Sequence, residues 1–213
     1  MIRHLLFDMG GIIFQQNTEE AFRRFAEMGI DTDRYMGRYG QKEFFLDVET
    51  GAIDAATFCK KLATATGKQE ITWQEAQHAW LGFVDEVPQK SLNHLEKLKK
   101  EYHLSLLSNT NPFVMDYMRS ENFSSDGRTI EDFFDTLFCS YELQLCKPHP
   151  EIYLQALQTL GAEAHECVFI DDSKANIEAA QALGIHVLHV ETNADWMPSL
   201  QALLQQLTSE GRV

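Results

Sequence analysis

Three short apolar runs in this chain, at 5–7, 104–107 and 167–170, each end on a polar residue: Asp8, Ser108 and Asp171. Sequence of helical period separates them, with Leu92, Leu95 and Leu98 before the second run and Tyr153, Leu157 and Leu160 before the third. Short apolar runs alternating with amphipathic helices are the pattern of parallel strands covered on both faces by crossover helices. Further strands are expected near 136–140 and 186–190, and a C-terminal helix carrying Trp196, Leu200, Leu203 and Leu207 closes the chain. The expected fold class is α/β, a doubly wound parallel sheet.

Between the first and second runs the pattern changes. Asn17 with Glu20 three residues on, Asp54, and Thr72-Trp73-Gln74-Glu75 each read as a helix start. Helical spacing follows at Phe22, Phe25 and Ala26, from Tyr35 to Phe45 and Leu46, at Phe58 and Leu62, and at Trp73, Ala76 and Trp80. Four helices and no strand are expected here, with the aromatic stripes packed on one another as a small bundle core. The domain plan is a Rossmann-like core of 1–15 and 86–213, with an inserted helical-bundle cap at 16–85.

Composition removes several function classes. The formal charge of −14 repels nucleic acid and anionic membrane surfaces, so neither is an expected partner. No run approaches the roughly 18 apolar residues of a membrane span. The N-terminus shows no cationic stretch followed by an apolar segment, and a reducing cytoplasm is the default expectation. Cys59, Cys139, Cys146 and Cys167 have no CxxC spacing and read as free core thiols. Cys146 stands out only because the neighbouring Lys147 can lower a thiol pKa. The eight histidines show no zinc spacing.

In a doubly wound sheet, ligands bind outside the carboxyl ends of the strands. Asp8, Ser108-Asn109, Lys147 and Asp171-Asp172 all fall at or just beyond such ends. Singly, each reads as a turn or helix-cap residue. Together, three carboxylates on one edge repel each other unless a cation joins them. Oxygen-only ligands indicate Mg²⁺, usually held by one or two carboxylates with substrate phosphate and water. Lys147 supplies a cationic donor for phosphate, and the Ser108 hydroxyl and Asn109 amide supply neutral ones. The chemistry that uses all of them is phosphoryl transfer from a small phosphorylated substrate to Asp8, followed by hydrolysis.

At these motifs the chain resembles the haloacid dehalogenase-like hydrolases. The matching segments are Phe7-Asp8-Met9-Gly10-Gly11-Ile12, Leu107-Ser108-Asn109-Thr110-Asn111, Lys147-Pro148 with the helix after it, and Ile170-Asp171-Asp172-Ser173-Lys174-Ala175-Asn176. Their order and separations match as well, with the helical insert where the family carries a C1-type cap. Ser108-Asn109-Thr110-Asn111 and Glu49-Thr50-Gly51-Ala52-Ile53 are similar to the group containing sugar-1-phosphate phosphatases and the N-terminal phosphatase domain of soluble epoxide hydrolases. The resemblance implies Asp8 as nucleophile and metal ligand, with the Gly10 carbonyl, Asp171 and Asp172 completing the Mg²⁺ site. It implies Ser108 and Asn109 as holders of the phosphoryl oxygens and Lys147 as the neutralising cation, with Asn176 orienting the acidic pair.

One position departs from the family pattern. Its phosphatases carry a second aspartate two residues after the nucleophile, as general acid and base, where this chain has Gly10. General acid–base catalysis is worth about 10²- to 10⁴-fold. Two consequences are open: a substrate whose alcohol leaves easily, or a proton from a cap residue or water, for which the sequence names no candidate. Two other functions compete with the phosphatase: a weak or inactive phosphometabolite-binding protein, and a 2-haloacid dehalogenase. Dehalogenases of the family need no metal and lack the pair represented here by Asp171-Asp172. In the cap, Tyr35 and Tyr39 are aromatic candidates for a substrate contact, while Arg34, Arg38 and Lys42 read as solvated surface. No oligomeric state is implied.

Overall fold

A computed structural model describes residues 1–37 and 40–210. The chain opens with β1 (His4–Phe7) and turns through Gly10 and Gly11 into β2 (Gln15–Gln16). Five helices follow, α1 (Thr18–Glu27), α2 (Thr32–Tyr35), α3 (Glu43–Glu49), α4 (Ala55–Thr66) and α5 (Trp73–Trp80). Two-residue strands β3 (Met36–Gly37) and β4 (Gly40–Gln41) sit between α2 and α3. Strand β5 (Val84–Glu86) pairs antiparallel with β2, so the chain enters and leaves the helical segment side by side. The remainder alternates: α6 (Gln89–Leu98), β6 (His103–Ser108), α7 (Pro112–Met118), α8 (Ile130–Phe133), β7 (Thr136–Cys139), α9 (Ser140–Leu143), α10 (Pro150–Leu160), β8 (Cys167–Asp171), α11 (Lys174–Ala182), β9 (His186–His189) and α12 (Met197–Glu210).

Five of the strands form one parallel sheet in the order β7-β6-β1-β8-β9. Strand β1 is central, with Leu5 opposite Leu104 on one side and Val168 on the other. Successive side chains on a strand face opposite ways. Leu5 and Phe7 therefore join the larger core cluster, with Phe25, Phe45 and Trp80 of the helical segment, while Leu6 joins Phe169 and Ile152 on the other face. From β1 the chain moves outward through β6 and β7, then returns to the opposite side with β8 and β9. The reversal lies between β1 and β8, and a crevice opens at their carboxyl ends. No helix among the described residues is long and apolar enough to cross a membrane.

The helix starts read from sequence act as caps. Asn17 accepts from the Glu20 N–H at 3.0 Å, Asp54 from the Thr57 N–H at 2.7 Å, and Thr72 with Glu75 makes a reciprocal capping box. The 35–46 region corrects the expectation of one helix, because α2 ends at Tyr35 and the β3–β4 hairpin intervenes before α3. Gly40 has φ +150°, and a Cβ on Gly37 would lie 2.7 Å from the Gly40 carbonyl oxygen, so two glycines force the break. Tyr35 still packs on Phe44 and Phe45, with ring centroids 5.0 and 5.6 Å apart, but across the hairpin and not along a helix. The expectation of no strand in this segment is corrected by the same hairpin. Arg38 and Tyr39 lie outside the described residues.

Trp196 precedes α12 instead of lying within it. Its ring packs edge-on against Phe7 with centroids 5.2 Å apart, and its Nε1–H donates to the Ile12 carbonyl at 2.9 Å. That bond fixes the loop that follows β1.

Gly82 is where α1 seats against the end of α5. A Cβ there would lie 2.6 Å from the Ala21 Cα, a backbone atom that cannot yield without moving the helix. Gly82→Ala is therefore expected to destabilise the fold by about 1–3 kcal/mol, read from the urea midpoint. An unchanged midpoint would contradict this packing.

Candidate active site

The β1–β8 ladder continues one step past β1, because the Asp8 N–H donates to the Ile170 carbonyl at 2.9 Å. Asp8 is thus held on fixed backbone at the mouth of the crevice. The following turn closes on itself: the Ile13 and Phe14 amides both donate to the Met9 carbonyl, at 2.8 and 3.2 Å. Gly11 has φ +74°, and a Cβ there would lie 2.9 Å from Asp172 Oδ2. Only glycine allows both the turn and the close approach of that carboxylate.

Lys147 lies at the centre. Its Nζ is 2.8 Å from Asp8 Oδ1 and 2.7 Å from Asp171 Oδ2, and its side chain is 1% exposed. Burial works against the ammonium, but the two carboxylates outweigh it and hold its pKa above the usual lysine value. Asp171 is wholly buried and fully bonded: Oδ1 accepts from the Ser173 N–H at 2.7 Å, and the Asn176 amide spans both oxygens at 3.2 and 3.0 Å. Asp172 is half-buried, and the described partner of its carboxylate is the Thr192 hydroxyl at 2.5 Å on Oδ2. The adjacent carboxylates therefore differ, one locked into the protein and one with an oxygen to offer.

Strand β6 delivers Ser108 and Asn109. Ser108 is 1% exposed and lines the crevice. Both ends of the Asn109 amide are engaged by Lys147 backbone: Nδ2 donates to its carbonyl and Oδ1 accepts from its N–H, each at 2.9 Å. Asn109 thereby clamps the loop that carries Lys147. Asn111 caps α7 by accepting from the Phe113 and Val114 amides at 3.1 and 3.2 Å.

The carboxylate oxygens of Asp8, Asp171 and Asp172 include atoms within 4.8 Å of one another. Burial pushes the Asp8 carboxyl up against the pull of Lys147, and burial likewise raises Asp172. Three carboxylates thus face one ammonium in a partly dehydrated place, where a divalent cation would relieve the repulsion. An all-oxygen donor set fits a hard ion of the Mg²⁺ kind.

A cavity of about 160 Å³ covers these groups, floored by Asp8, Ser108 and Lys147 and roofed by Gln41, Glu49 and Trp80. Glu49 ends α3, and its carbonyl accepts from the Ser140 hydroxyl at 2.6 Å. Ser140 also accepts from the Thr110 N–H at 2.9 Å, tying the roof to the loop after β6. Burial pushes the Glu49 carboxyl up to about 8. Gly51 has φ +69°, and a Cβ there would lie 2.2 Å from the Tyr141 carbonyl oxygen, so this turn rests directly on the core. Gln16 reaches in beneath: its Oε1 lies 2.8 Å from where a Cβ on Gly10 would stand.

Other side chains singled out in the sequence lie elsewhere. Tyr35 is buried in the helical segment, Arg34 pairs with Glu43 at 3.0 Å, and Lys42 donates to the Asp33 carbonyl at 3.4 Å. Burial pushes the Cys146 thiol up to about 11, and Glu49 adds to the effect, so the neighbouring lysine does not activate it. Glu49, Gln16 and Gln41 are cavity residues that motif reading passed over. Glu49 carried one usable signal, its position at a helix end two residues before Gly51.

The family model for haloacid dehalogenase-like hydrolases matches residues 2–184. A D-ribitol-5-phosphate phosphatase of Bacteroides thetaiotaomicron is 38% identical over 96% of this chain and 99% of its own length. A HAD-like family hydrolase of Porphyromonas gingivalis is 36% identical with a TM-score of 0.91, covering 96% of this chain and 98% of that one. A HAD family enzyme of Bacteroides thetaiotaomicron, solved as a mutant with magnesium and inorganic phosphate, is 30% identical with a TM-score of 0.85, over 92% and 97% of the two chains. Match length, identity and superposition agree, and the chain belongs to the haloacid dehalogenase-like hydrolases.

Proposed function

We propose that the protein is a Mg²⁺-dependent phosphatase of small sugar or polyol phosphates, working through an aspartyl-phosphate on Asp8. The observation that carries this reading is the buried Lys147 ammonium held between Asp8 and Asp171 beneath a roofed cavity. A carboxylate kept at a strand end, paired to a cation yet left 15% exposed, is placed to attack an entering electrophile.

Lys147 neutralises Asp8 and the entering phosphate, so two anions can approach within bonding distance. Ser108 offers its hydroxyl to a phosphoryl oxygen, and Asn109 keeps the Lys147 loop in place. Asp8 and Asp172, with the Gly10 carbonyl, would hold the Mg²⁺, while Asp171 anchors Lys147. When bound, the cation supplies further positive charge toward the phosphoryl oxygens. The roof limits water around the reacting groups. Asp172 would have no task in a metal-free dehalogenation, and Asp8 none in a simple binding protein.

The substrate class draws on the B. thetaiotaomicron relative named for D-ribitol 5-phosphate. Two amides, Gln16 and Gln41, line the cavity and suit hydroxyl groups. Gln41 Oε1 is buried without a hydrogen-bond partner among the described residues, an acceptor for a substrate hydroxyl.

Phosphate release from D-ribitol 5-phosphate and related sugar phosphates is expected with Mg²⁺ and not with EDTA. Asp8→Asn is expected to lower turnover by about 10⁴- to 10⁶-fold. Metal-independent release, or an active Asp8→Asn, would contradict the reading. Lys147→Met should leave Asp8 and Asp171 buried without their cation. The expected cost is about 3–5 kcal/mol of stability, by urea unfolding in EDTA, together with loss of activity. Native-like stability of that variant would contradict the buried pairing.

A further inference from the structure

D-ribitol 5-phosphate, the substrate named for the relative, is a primary alkyl ester, and its alkoxide is a poor leaving group that needs a proton as it departs. The family position for that acid is Gly10, and the space beside it is taken by the Gln16 amide, 2.8 Å from where a side chain would begin. An amide at that place can donate a hydrogen bond but is far too weak an acid to give up a proton at neutral pH. The ionisable side chains lining the cavity, among the described residues, are Asp8, Lys147 and Glu49. Asp8 is the nucleophile of the reading above, and Lys147 is held by two carboxylates. Glu49 alone of the three is uncommitted: no hydrogen bond or ion pair engages its carboxyl among the described residues. It lines the same cavity as Asp8 from the end of α3.

We propose that Glu49 is the general acid of this phosphatase, donating to the leaving oxygen in the first step and accepting the proton of water in the second. The inference rests on the phosphatase reading and supplies what that reading lacks. An Asp8 oxygen bonds to phosphorus while the bond from phosphorus to the ester oxygen breaks. The departing electron pair on that oxygen takes the Glu49 proton, releasing the alcohol. Water then attacks phosphorus, the bond to Asp8 breaks and returns its electron pair to the carboxylate, and Glu49 takes the water proton and is restored.

The surroundings support the assignment. Burial without a partner holds Glu49 up to about 8, so it carries its proton at neutral pH. The other titratable groups facing it are Asp8 and Lys147 across the cavity, Cys146 beside its carbonyl, and His149 and Glu151 in the adjoining cleft. Its place is fixed from the core, because Ser140 holds its carbonyl at 2.6 Å and Gly51 rests on Tyr141.

The test uses three esters without hydroxyl groups, 4-nitrophenyl, phenyl and 2-phenylethyl phosphate, in order of increasingly basic leaving oxygen. For the native enzyme with Mg²⁺, kcat/KM toward 2-phenylethyl phosphate should fall as pH rises through about 8, where Glu49 loses its proton. Toward 4-nitrophenyl phosphate this limb should be weakest. Glu49→Gln should lose least with 4-nitrophenyl phosphate, more with phenyl phosphate, and about 10²- to 10⁴-fold with the alkyl ester, and the alkaline limb should vanish. Stability gives a readout apart from catalysis. A carboxyl with a raised folded pKa stabilises fully below its unfolded value and loses that contribution as pH rises through about 8, so the native protein should fall behind Glu49→Gln over that interval. An equal loss on all three esters would mean a positioning role and overturn the proposal, as would an undiminished alkyl ester rate. A native enzyme that releases no phosphate from these esters or from D-ribitol 5-phosphate would overturn the phosphatase reading and Glu49 with it. An active native enzyme matched by its variant would overturn Glu49 alone.

Discussion

One buried ammonium organises the centre of this protein. Lys147 is taken almost wholly out of water, which is tolerable only because Asp8 and Asp171 lie 2.8 and 2.7 Å from its nitrogen. Much of the nearby architecture serves that arrangement. The β1–β8 ladder sets the spacing of the two aspartates, Asn176 and the Ser173 amide saturate Asp171, and the Asn109 amide grips the Lys147 backbone from both sides. Asp8 and Lys147 both line the cavity while Asp171 stays wholly buried, so the ion pair that organises the fold also faces the space where the proposed chemistry would occur.

The second constraint is the contact between roof and floor. Helix α3 delivers Glu49 over the cavity, and the turn at Gly51 sits on Tyr141 so closely that no other residue fits. Ser140 joins this roof to the β6 loop through a single hydroxyl that accepts from Thr110 and donates to Glu49. The helical segment is therefore registered on the core at the site itself, besides being packed on it through the shared apolar cluster that contains Phe58 and Phe113. The identity of the residue at the end of α3 thereby becomes a matter of chemistry as well as packing.

The parallel sheet and the polar residues at its carboxyl edge were legible in the sequence because strand burial and strand-end polarity leave local marks. An apolar run ending on Asp8, Ser108 or Asp171 needs no knowledge of distant residues to be seen. The 35–46 segment was misread because Tyr35, Phe44 and Phe45 keep a helix-like spacing while their contacts cross a hairpin, and the signal against a helix came only from Gly37 and Gly40. The different roles of Asp171 and Asp172 were invisible in an adjacent pair, since they depend on Asn176 and Thr192 reaching one carboxylate each. Glu49 opens the Glu49-Thr50-Gly51-Ala52-Ile53 turn, and no local pattern marks it as a cavity residue. That its carboxyl has no partner among the described residues is a property of three-dimensional surroundings, and so is the Gln16 amide standing beside Gly10.

The proposed mechanism turns on a covalent bond to one oxygen of one side chain. The most direct measurement is mass spectrometry of enzyme quenched in acid while turning over 4-nitrophenyl phosphate with Mg²⁺. A single phosphoryl adduct on the peptide carrying Asp8, absent from the EDTA control, is the predicted result. Sustained phosphate release with no adduct, or with the adduct on another residue, would contradict it.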